Sequence, residues 1–221
     1  MRPRDPKSMP IGHGHAQIIH AKVDKAESRL ARIERKINRS RVGTTLPTNP
    51  LDGQVLQYQS STMRDGATNV IGGVVWTFRY NSANTSSYKW EFVGGSAWVS
   101  KVDTAETTTS AAYAALATAG PSITVPLAGV YAVSYGSKQD YTVITSNRIA
   151  YHSIDIGAAA ATDSDAVVSS HPNIVGLLQT PSTTTTLTLA AGDAVVSKYR
   201  TGADTVRFQK RFLSVVPVSV G

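Results

Sequence analysis

The residues of this chain best suited to chemistry are histidines near its N-terminus. His13 and His15 are separated by one residue, and His20 follows a little further along. If three chains ran in parallel, one His-x-His pair from each would place six nitrogens around a metal ion, a set that suits iron or nickel. The alternative is a polar tail with incidental histidines, because no carboxylate can be placed beside the pair from the sequence. We predict no metal and no cofactor, with His13 and His15 as the ligands if a metal binds.

The sequence lacks a recognisable motif for hydrolytic chemistry. No nucleophile elbow accompanies the histidines and aspartates of its second half, which are His152, His171, Asp155, Asp163, Asp165 and Asp193. Two carboxylates brought together by the fold would be enough to cleave a glycosidic bond. A chain of this length, however, leaves little room for the extended groove that a polysaccharide-cleaving enzyme needs. We therefore predict that the protein is not an enzyme.

Composition excludes several further classes of protein. The 221-residue chain has no cysteine, which excludes disulfides, thiolate metal sites and thiol nucleophiles. An apolar content of 41% is sufficient for packed cores. No apolar run reaches the length of a transmembrane helix, and the first ten residues lack the apolar core of a signal peptide. We predict a folded, soluble protein with no membrane partner.

The net charge of +7 is concentrated at the N-terminus. Residues 1–41 hold eleven Lys and Arg against four Asp and Glu, whereas residues 42–221 hold eleven of each. Such a basic arm binds nucleic acid in some proteins and an acidic protein surface in others. No aromatic residues are interleaved with these charges, so we favour docking to other proteins over nucleic acid. The residues predicted to dock are Arg2, Arg4, Lys7, Lys25, Arg32 and Arg35.

Apolar residues recur at heptad spacing within residues 16–40. Steps of four and three residues connect Ile19, Val23, Ala26, Leu30, Ile33 and Ile37, which is the a/d seam of a coiled coil. The flanking g and e′ positions carry opposite charges, Lys22 with Glu27 and Arg29 with Glu34. These pairs favour parallel chains in register, and isoleucine at both a and d favours a trimer over a dimer. Because so short a seam is marginal alone, we expect the rest of the chain to contribute to the association.

Changes of composition divide the chain into five segments. Proline and glycine make residues 1–15 an extended anchor tail, and a linker over residues 41–53 follows the coiled-coil helix of residues 16–40. A small antiparallel β module over residues 54–100 and a C-terminal jelly-roll β-sandwich over residues 101–221 complete the predicted architecture, which is mainly β.

Period-two alternation identifies the strands of both β segments. Aromatic residues alternate with other residues over 74–80 and 88–93, so we predict an antiparallel hairpin with aromatic side chains opposed across it. A further strand is predicted over residues 54–59, and a short helical stretch over residues 113–116. Seven more strands are predicted over residues 122–126, 129–136, 148–156, 173–178, 184–190, 194–199 and 206–220. The tyrosines considered as receptor contacts, with burial in the sandwich favoured for each, are Tyr141, Tyr151 and Tyr199.

Two phrases of the last segment resemble a known architecture. Residues 123–135, ITVPLAGVYAVSY, and residues 187–195, LTLAAGDAV, are similar to phrases in trimeric jelly rolls of the complement globular-head and tumour necrosis factor type. In mechanical terms, Tyr131, Val133 and Tyr135 would alternate toward the interior of a sheet. The resemblance implies a trimeric jelly roll at the C-terminus.

The middle of the chain carries a second resemblance. Residues 46–54, LPTNPLDGQ, residues 75–81, VWTFRYN, and residues 88–95, YKWEFVGG, resemble a phrase found in tail-associated and fibre-like virion proteins of bacteriophages. That resemblance implies a structural protein of the virion surface, of the minor tail or fibre kind. The resemblance implies no catalytic residues for this chain.

These observations together predict a bacteriophage virion protein that forms a parallel homotrimeric fibre or spike. Its N-terminus would attach to capsid or tail proteins, and its β domains would be displayed for attachment to a host cell-surface receptor. One alternative is a capsid-associated head fibre or decoration protein without a receptor role. A less favoured alternative is a protein that contacts nucleic acid through its basic arm.

Overall fold

The described residues belong to two compact units, Met1–Ser40 and Arg41–Gly221. The computed structural model describes residues 22–29, 41–60, 64–65, 69–70, 74–143, 149–170 and 174–221. Of these, the first unit contributes only residues 22–29, and the second unit contains the β-structure.

In the first unit, residues 22–29 form an α-helix. The Ser28 hydroxyl donates a hydrogen bond to the Asp24 carbonyl oxygen at 2.8 Å. Val23, Lys25 and Ala26 are exposed on this helix. Association of such helices into a coiled coil stays a prediction, because the other seam residues lie outside the described residues: Ile19, Leu30, Ile33 and Ile37. Among the residues that are described, no helix is long and apolar enough to cross a membrane.

The second unit contains fifteen strands within the described residues. They are β1 (Arg41–Gly43), β2 (Val55–Tyr58), β3 (Arg64–Asp65), β4 (Asn69–Val70), β5 (Trp76–Tyr80), β6 (Trp90–Gly95), β7 (Trp98–Val102), β8 (Glu106–Thr108), β9 (Ser122–Thr124), β10 (Gly129–Val143), β11 (Ile149–Ile156), β12 (Val167–Ser170), β13 (Ser182–Leu189), β14 (Ala194–Thr201) and β15 (Thr205–Val220).

These strands form two sheets that enclose one interior. Sheet A has the order β1-β2-β5-β6-β15-β10-β13, and β7 and β8 also pair with β15. Sheet B has the order β12-β11-β14-β9-β3-β4. All pairs are antiparallel except β1 with β2, which are parallel. Apolar side chains from both sheets share one core, so the predicted β-sandwich is confirmed.

Eight of the strands follow the order of a jelly roll. Four of them lie side by side in sheet A in the order β7-β15-β10-β13. The other four lie side by side in sheet B in the order β12-β11-β14-β9. Successive strands therefore cross repeatedly between the two sheets, as in a jelly roll. Strands β1, β2, β5 and β6 extend sheet A beyond this set.

Alternating side chains explain why the longest strands form where they do. Tyr131, Val133 and Tyr135 of β10 are buried, as their period-two spacing predicts, whereas Val130 and Ala132 are partly exposed on the other face. The predicted aromatic hairpin is also present. Strands β5 and β6 pair antiparallel, with Phe78 opposite Phe92 and Tyr80 opposite Trp90.

Two predictions of local structure are wrong. Residues 173–178 were predicted as a strand, but residues 174–178 form a turn, because Gly176 has a φ of +79° and donates its N–H to the Tyr141 carbonyl oxygen at 3.0 Å. Residues 113–116 were predicted as helical, but Ala114 is extended and forms a β-bridge with Tyr199. The pattern also missed six strands, β1, β3, β4, β7, β8 and β12.

Strands from both predicted β segments occur in sheet A. Strands β6, β7 and β8 pair one after another along the same edge of β15. Residue 100, the predicted boundary, lies inside β7. The division into a module over residues 54–100 and a domain over residues 101–221 stays a prediction.

A β-bulge reverses the alternation of β15. Gly136 pairs with Phe212 and Lys138 pairs with Gln209, so Ser137 lies opposite two residues, Lys210 and Arg211. Lys210 has a φ of +50° and is exposed, whereas Arg211 is fully buried. The bulge therefore turns the side chain of Arg211 into the sandwich. Buried side chains of β15 are at even-numbered residues before the bulge, such as Phe208, and at odd-numbered residues after it, such as Leu213.

Candidate functional site

The edge of sheet A formed by β13 carries no charged side chain. We call residues 174–188, which include the turn before β13 and most of that strand, the uncharged edge. Four large apolar side chains of its turn are exposed, by 37% to 60%: Ile174, Val175, Leu177 and Leu178. Monomeric proteins seldom expose contiguous apolar side chains without a partner.

Hydrogen bonds hold the turn of the uncharged edge against β10. Gln139 and Gln179 exchange two backbone hydrogen bonds of 2.8 Å, and the Gly176 N–H donates to Tyr141. The Gln179 side-chain amide donates to the Ser170 carbonyl oxygen at 3.0 Å. Because these backbone groups are paired within the chain, the apolar side chains project from an anchored turn.

Strand β13 forms the rest of the uncharged edge. Thr184, Thr186 and Thr188 are exposed on the outer face of sheet A, and Thr184 shares a 2.8 Å hydrogen bond with Ser134 of β10. Only β10 pairs with β13 among the strands described. Natural proteins usually protect such an edge with lysine, proline or a bulge. Strand β13 has no lysine or proline, so its open side is a candidate surface for self-association.

A second surface feature is a groove beside β6. It has a volume of about 550 Å³, and we call it the β6 groove. Its lining comprises Arg79, Asn84, Ser86, Glu91, Phe92, Val93, Val130, Val218 and Ser219. Glu91 pairs with Arg79 of β5 on one side and with Ser219 of β15 on the other, and Ser219 pairs in turn with Val130 of β10. Four adjacent strands of sheet A therefore contribute to the groove.

A network of hydrogen bonds fixes the polar side of the β6 groove. The Glu91 carboxylate accepts hydrogen bonds from Asn81 Nδ2 at 2.6 Å and from Asn84 Nδ2 at 3.1 Å. It also accepts one from Arg79 Nη2 at 3.1 Å. The Asn81 hydrogen bond and then the Arg79 guanidinium lower the pKa of Glu91 below its ordinary value. The carboxylate is therefore ionised and held in one orientation at neutral pH.

The sandwich interior contains a serine and histidine pair that is closed to solvent. His152 is fully buried, its Nδ1 lies 3.3 Å from the Ser137 hydroxyl, and its Nε2 has no hydrogen-bond partner among the described residues. The ring centroids of Tyr135 and Tyr199 lie 5.4 Å and 4.7 Å from the His152 ring. Burial, and then Arg211, lower the pKa of His152 to about 3.

The aspartates considered for hydrolysis make separate structural contacts. Asp155 pairs with Lys198 at 3.1 Å, and Asp163 accepts two hydrogen bonds from Arg200, at 2.6 Å and 3.0 Å. An Asp193 carboxylate oxygen accepts the N–H of Ala190 at 2.8 Å. Thr162 donates its hydroxyl to the carboxylate of the remaining aspartate, Asp165, at 2.7 Å. His171 lies outside the described residues. The structure therefore brings none of these aspartates into the His152 cluster.

The three tyrosines considered as receptor contacts have different surroundings. Tyr141 and Tyr199 are fully buried, which agrees with the favoured core role. Tyr151 is partly exposed, and the Arg200 guanidinium lies 3.5 Å above its ring centroid. Arg200 also pairs with Asp163, so Tyr151 belongs to a contact that holds a loop on sheet B.

Most of the predicted N-terminal site residues lie outside the described residues, and their roles stay predictions. This holds for the docking residues Arg2, Arg4, Lys7, Arg32 and Arg35 and for the metal candidates His13 and His15. Lys25 is exposed on the helix of residues 22–29. In the described part of the chain, no group of three or more His, Asp or Glu residues could hold a metal ion.

Sequence reasoning missed both surface features. A signal for the uncharged edge was present, because no charged residue occurs between His171 and Asp193. The β6 groove had no comparable signal, since its residues come from three separate parts of the chain.

No protein-family model and no curated protein match the chain. Solved structures are similar to it at low sequence identity. The structure of Eiger TNF from S. frugiperda has a TM-score of 0.41 and 13% identity, covering 53% of this chain and 87% of that one. Murine APRIL has a TM-score of 0.33 and 12% identity, covering 74% and 97%. An infectious bursal disease virus structure, Gx strain, has a TM-score of 0.34 and 13% identity, covering 79% and 53%. The strand pairing of this chain itself defines its jelly-roll order.

Proposed function

We propose that this chain is a structural bacteriophage virion protein that forms a homotrimeric fibre or spike. Its N-terminal segment attaches it to capsid or tail proteins of the particle, and its β unit is displayed for attachment to the host surface. The proposal includes no enzymatic step and no bound metal or cofactor.

The uncharged edge is the observation that carries this proposal. A single chain leaves the apolar side chains of residues 174–178 and the open side of β13 in contact with water. Covering them with another copy of the chain removes apolar area from water, which stabilises an oligomer. The heptad seam predicted for residues 16–40 supports the same conclusion independently, because it favours parallel copies.

The path of the chain supports attachment through the N-terminal segment. Strand β1, where the second unit begins, lies at one edge of sheet A, and β13 lies at the opposite edge. The excess positive charge lies entirely in residues 1–41. The residues predicted to dock and the uncharged edge therefore lie in different parts of the chain, as a displayed virion protein requires.

The native mass of the full chain tests the oligomer. Mass spectrometry under native conditions should give about three times the 23.5 kDa mass of one chain. Leu178→Asp places a charge on the uncharged edge and should shift the population toward single chains. The matched control is Leu51→Asp, because Leu51 and Leu178 have similar exposure, 54% and 46%. A single-chain mass for the unmodified protein would refute the oligomer. An unchanged mass for Leu178→Asp would show that the uncharged edge is not part of the interface between chains.

A capsid-associated decoration protein is a second candidate. The same uncharged edge would serve a protein that stabilises the capsid without binding a receptor. Immunogold labelling of purified virions separates the two roles. Label over the head, with none at the tail tip, would support decoration and contradict receptor binding.

Contact with nucleic acid is the third candidate, and the basic N-terminal arm is the observation that favours it. Phosphate contacts weaken as salt concentration rises, because counterions are released on binding. Affinity for duplex DNA should then fall steeply between low and physiological salt. Binding that is absent, or that stays constant across this range, would exclude the candidate.

A further inference from the structure

We propose that the β6 groove binds a neutral saccharide. The inference rests on the proposed function for its setting, since a displayed virion protein meets host-surface glycans. It goes further by naming a site and the class of ligand.

The polar side of the groove is arranged before any ligand arrives. Arg79 and Asn84 are both held by Glu91, and the Asn84 side-chain oxygen accepts the N–H of Ser86 at 2.9 Å. Planar amide and guanidinium groups match pairs of adjacent hydroxyls, because each presents hydrogen-bonding atoms side by side. A side chain that is already fixed loses little rotamer entropy when it binds.

Apolar side chains form much of the rest of the lining. Val93 and Val218 are half exposed, by 50% and 48%, and Val130 and Phe92 are partly exposed beside them. A pyranose ring has hydroxyls at its rim and C–H groups on its face, so it needs polar contacts on one side and apolar contacts on the other. The β6 groove provides both within about 550 Å³.

The charge of the lining favours a neutral ligand. Among the described residues of the lining, Arg79 and Glu91 alone are charged, and they form an ion pair with an N–O distance of 3.1 Å. The excess of positive charge that would attract an anionic polymer is therefore absent from the lining. A cationic ligand would likewise meet a carboxylate that is already engaged by three donors.

The test measures saccharide binding by the full chain. Soluble neutral hexasaccharides of glucose, mannose and arabinose serve as probes, and hexagalacturonate serves as the anionic comparison. Saturation-transfer NMR detects binding and titration calorimetry gives the affinity. We expect at least one neutral probe to bind and hexagalacturonate not to bind. Binding of hexagalacturonate alone, or of no probe, would overturn the proposal.

Two variants locate the site. Val218→Asp should weaken binding at least about tenfold, because it places a charge on the apolar side of the groove. Val168→Asp is the matched control, since Val168 on sheet B has 47% exposure against 48% for Val218. It should bind as the unmodified chain does. Equal losses in both variants would contradict the assignment of the groove.

The polar side needs its own variant. Arg79→Met keeps the aliphatic stem and removes the guanidinium, so it should also weaken binding, while circular dichroism shows an unchanged fold. Retention of full affinity by this variant would contradict the proposed polar contacts.

Native mass separates this proposal from the proposed function. Val218→Asp should leave the mass of the oligomer unchanged. If the mass falls instead, the groove is covered by another copy of the chain and the saccharide proposal fails, while the oligomer stands. If the unmodified chain binds a neutral probe as a single chain, the proposed trimer fails and the saccharide site stands.

Discussion

The two halves of the sandwich interior are built from different chemistry. The aromatic half surrounds Trp76, Trp98 and Tyr131 and contains the C-terminal part of β15. The polar half surrounds Tyr199 and Phe208, and His152, Arg211, Gln139 and Ser137 are buried within it. The bulge of Lys210 in β15 lies between the two halves.

The difference shows two ways to attach peripheral segments to one sandwich. In the aromatic half, Trp76 of β5 contacts the rings of Tyr58, Trp98 and Tyr131, with centroids 6.3 to 6.4 Å apart. Apolar burial therefore holds the N-terminal strands on sheet A. In the polar half, Arg211 donates to the carbonyl oxygens of Thr104, Thr118 and Gly120. Hydrogen bonds from the buried Arg211 guanidinium therefore hold residues 104–120, the segment between β7 of sheet A and β9 of sheet B.

Truncation of Trp76 should have the largest effect. Trp76→Ala removes the ring at the centre of the aromatic half and leaves a cavity, which should lower the free energy of unfolding by roughly 4 kcal/mol. Urea denaturation followed by circular dichroism measures the change. Trp76→Phe keeps part of the ring contacts and should lose less than half as much. Equal losses in the two variants would show that the hydrogen bond from Trp76 Nε1 to Ser96, rather than packing, stabilises this half.

Loss of Arg211 should have the next largest effect. Its Nη2 lies 3.1 Å from the Glu106 carboxylate, and its side chain is fully buried. Arg211→Met leaves three carbonyl oxygens without this donor and leaves the Glu106 carboxylate with only its two hydrogen bonds from Thr118, at 2.6 Å and 2.8 Å, so we expect a loss of about 3 kcal/mol. The measurement is again urea denaturation.

A double variant separates the ion pair from the carbonyl contacts. Arg211→Met combined with Glu106→Gln removes the unpaired charge, so it should be more stable than Arg211→Met alone. If the double variant is less stable than the single one, the unpaired carboxylate is not the source of the loss. The segment contacts would then account for it.

His152 should make the stability of the polar half depend on pH. The folded chain holds the pKa of His152 near 3, whereas the unfolded chain protonates near the ordinary value of 6.5. Below pH 6.5 the unfolded state therefore binds more protons, and stability falls as pH decreases toward 3. Between pH 6.5 and 5, above the range of most carboxylates, the loss should approach ~1 kcal/mol per pH unit.

The variant that tests this dependence is His152→Phe. It retains a ring between Tyr135 and Tyr199, and the Ser137 hydroxyl keeps its hydrogen bond from Gln139 at 3.0 Å. Urea midpoints of this variant should change less between pH 6.5 and 5 than those of the unmodified chain. Identical slopes would assign the pH dependence to another group.

The aromatic half was largely predictable from the sequence, and the polar half was not. Alternation of Trp76, Phe78 and Tyr80 predicts one buried face, and the strands form as expected. Alternation carries no information about a buried arginine or histidine, because their burial depends on partners that are distant in sequence. Glu106 lies 105 residues from Arg211, and Ser137 lies 15 residues from His152.

Two local features of the backbone were not predicted from the sequence. Residues 174–178 were predicted as a strand from their apolar character, yet Gly176 and the hydrogen bonds to β10 make them an exposed turn. Hydrophobicity alone does not distinguish a buried strand from an exposed apolar turn. The bulge of β15 was likewise not predicted, although a signal for it was present in the sequence. Val206 and Phe208 are at even positions, whereas Leu213 and Val215 are at odd ones, so one extra residue must lie between them.

That extra residue provides the smallest predicted effect. Lys210 has a φ of +50°, which glycine adopts without strain. Lys210→Gly should relieve strain of about 1 kcal/mol, while the exposed Lys210–Asp103 ion pair, 3.4 Å long, contributes less than this. We expect a small net gain in the free energy of unfolding, below about 1 kcal/mol. Asp103→Asn removes the ion pair alone and serves as the control. If Lys210→Gly instead loses stability while Asp103→Asn does not, the lysine side chain itself supports the bulge that separates the two halves.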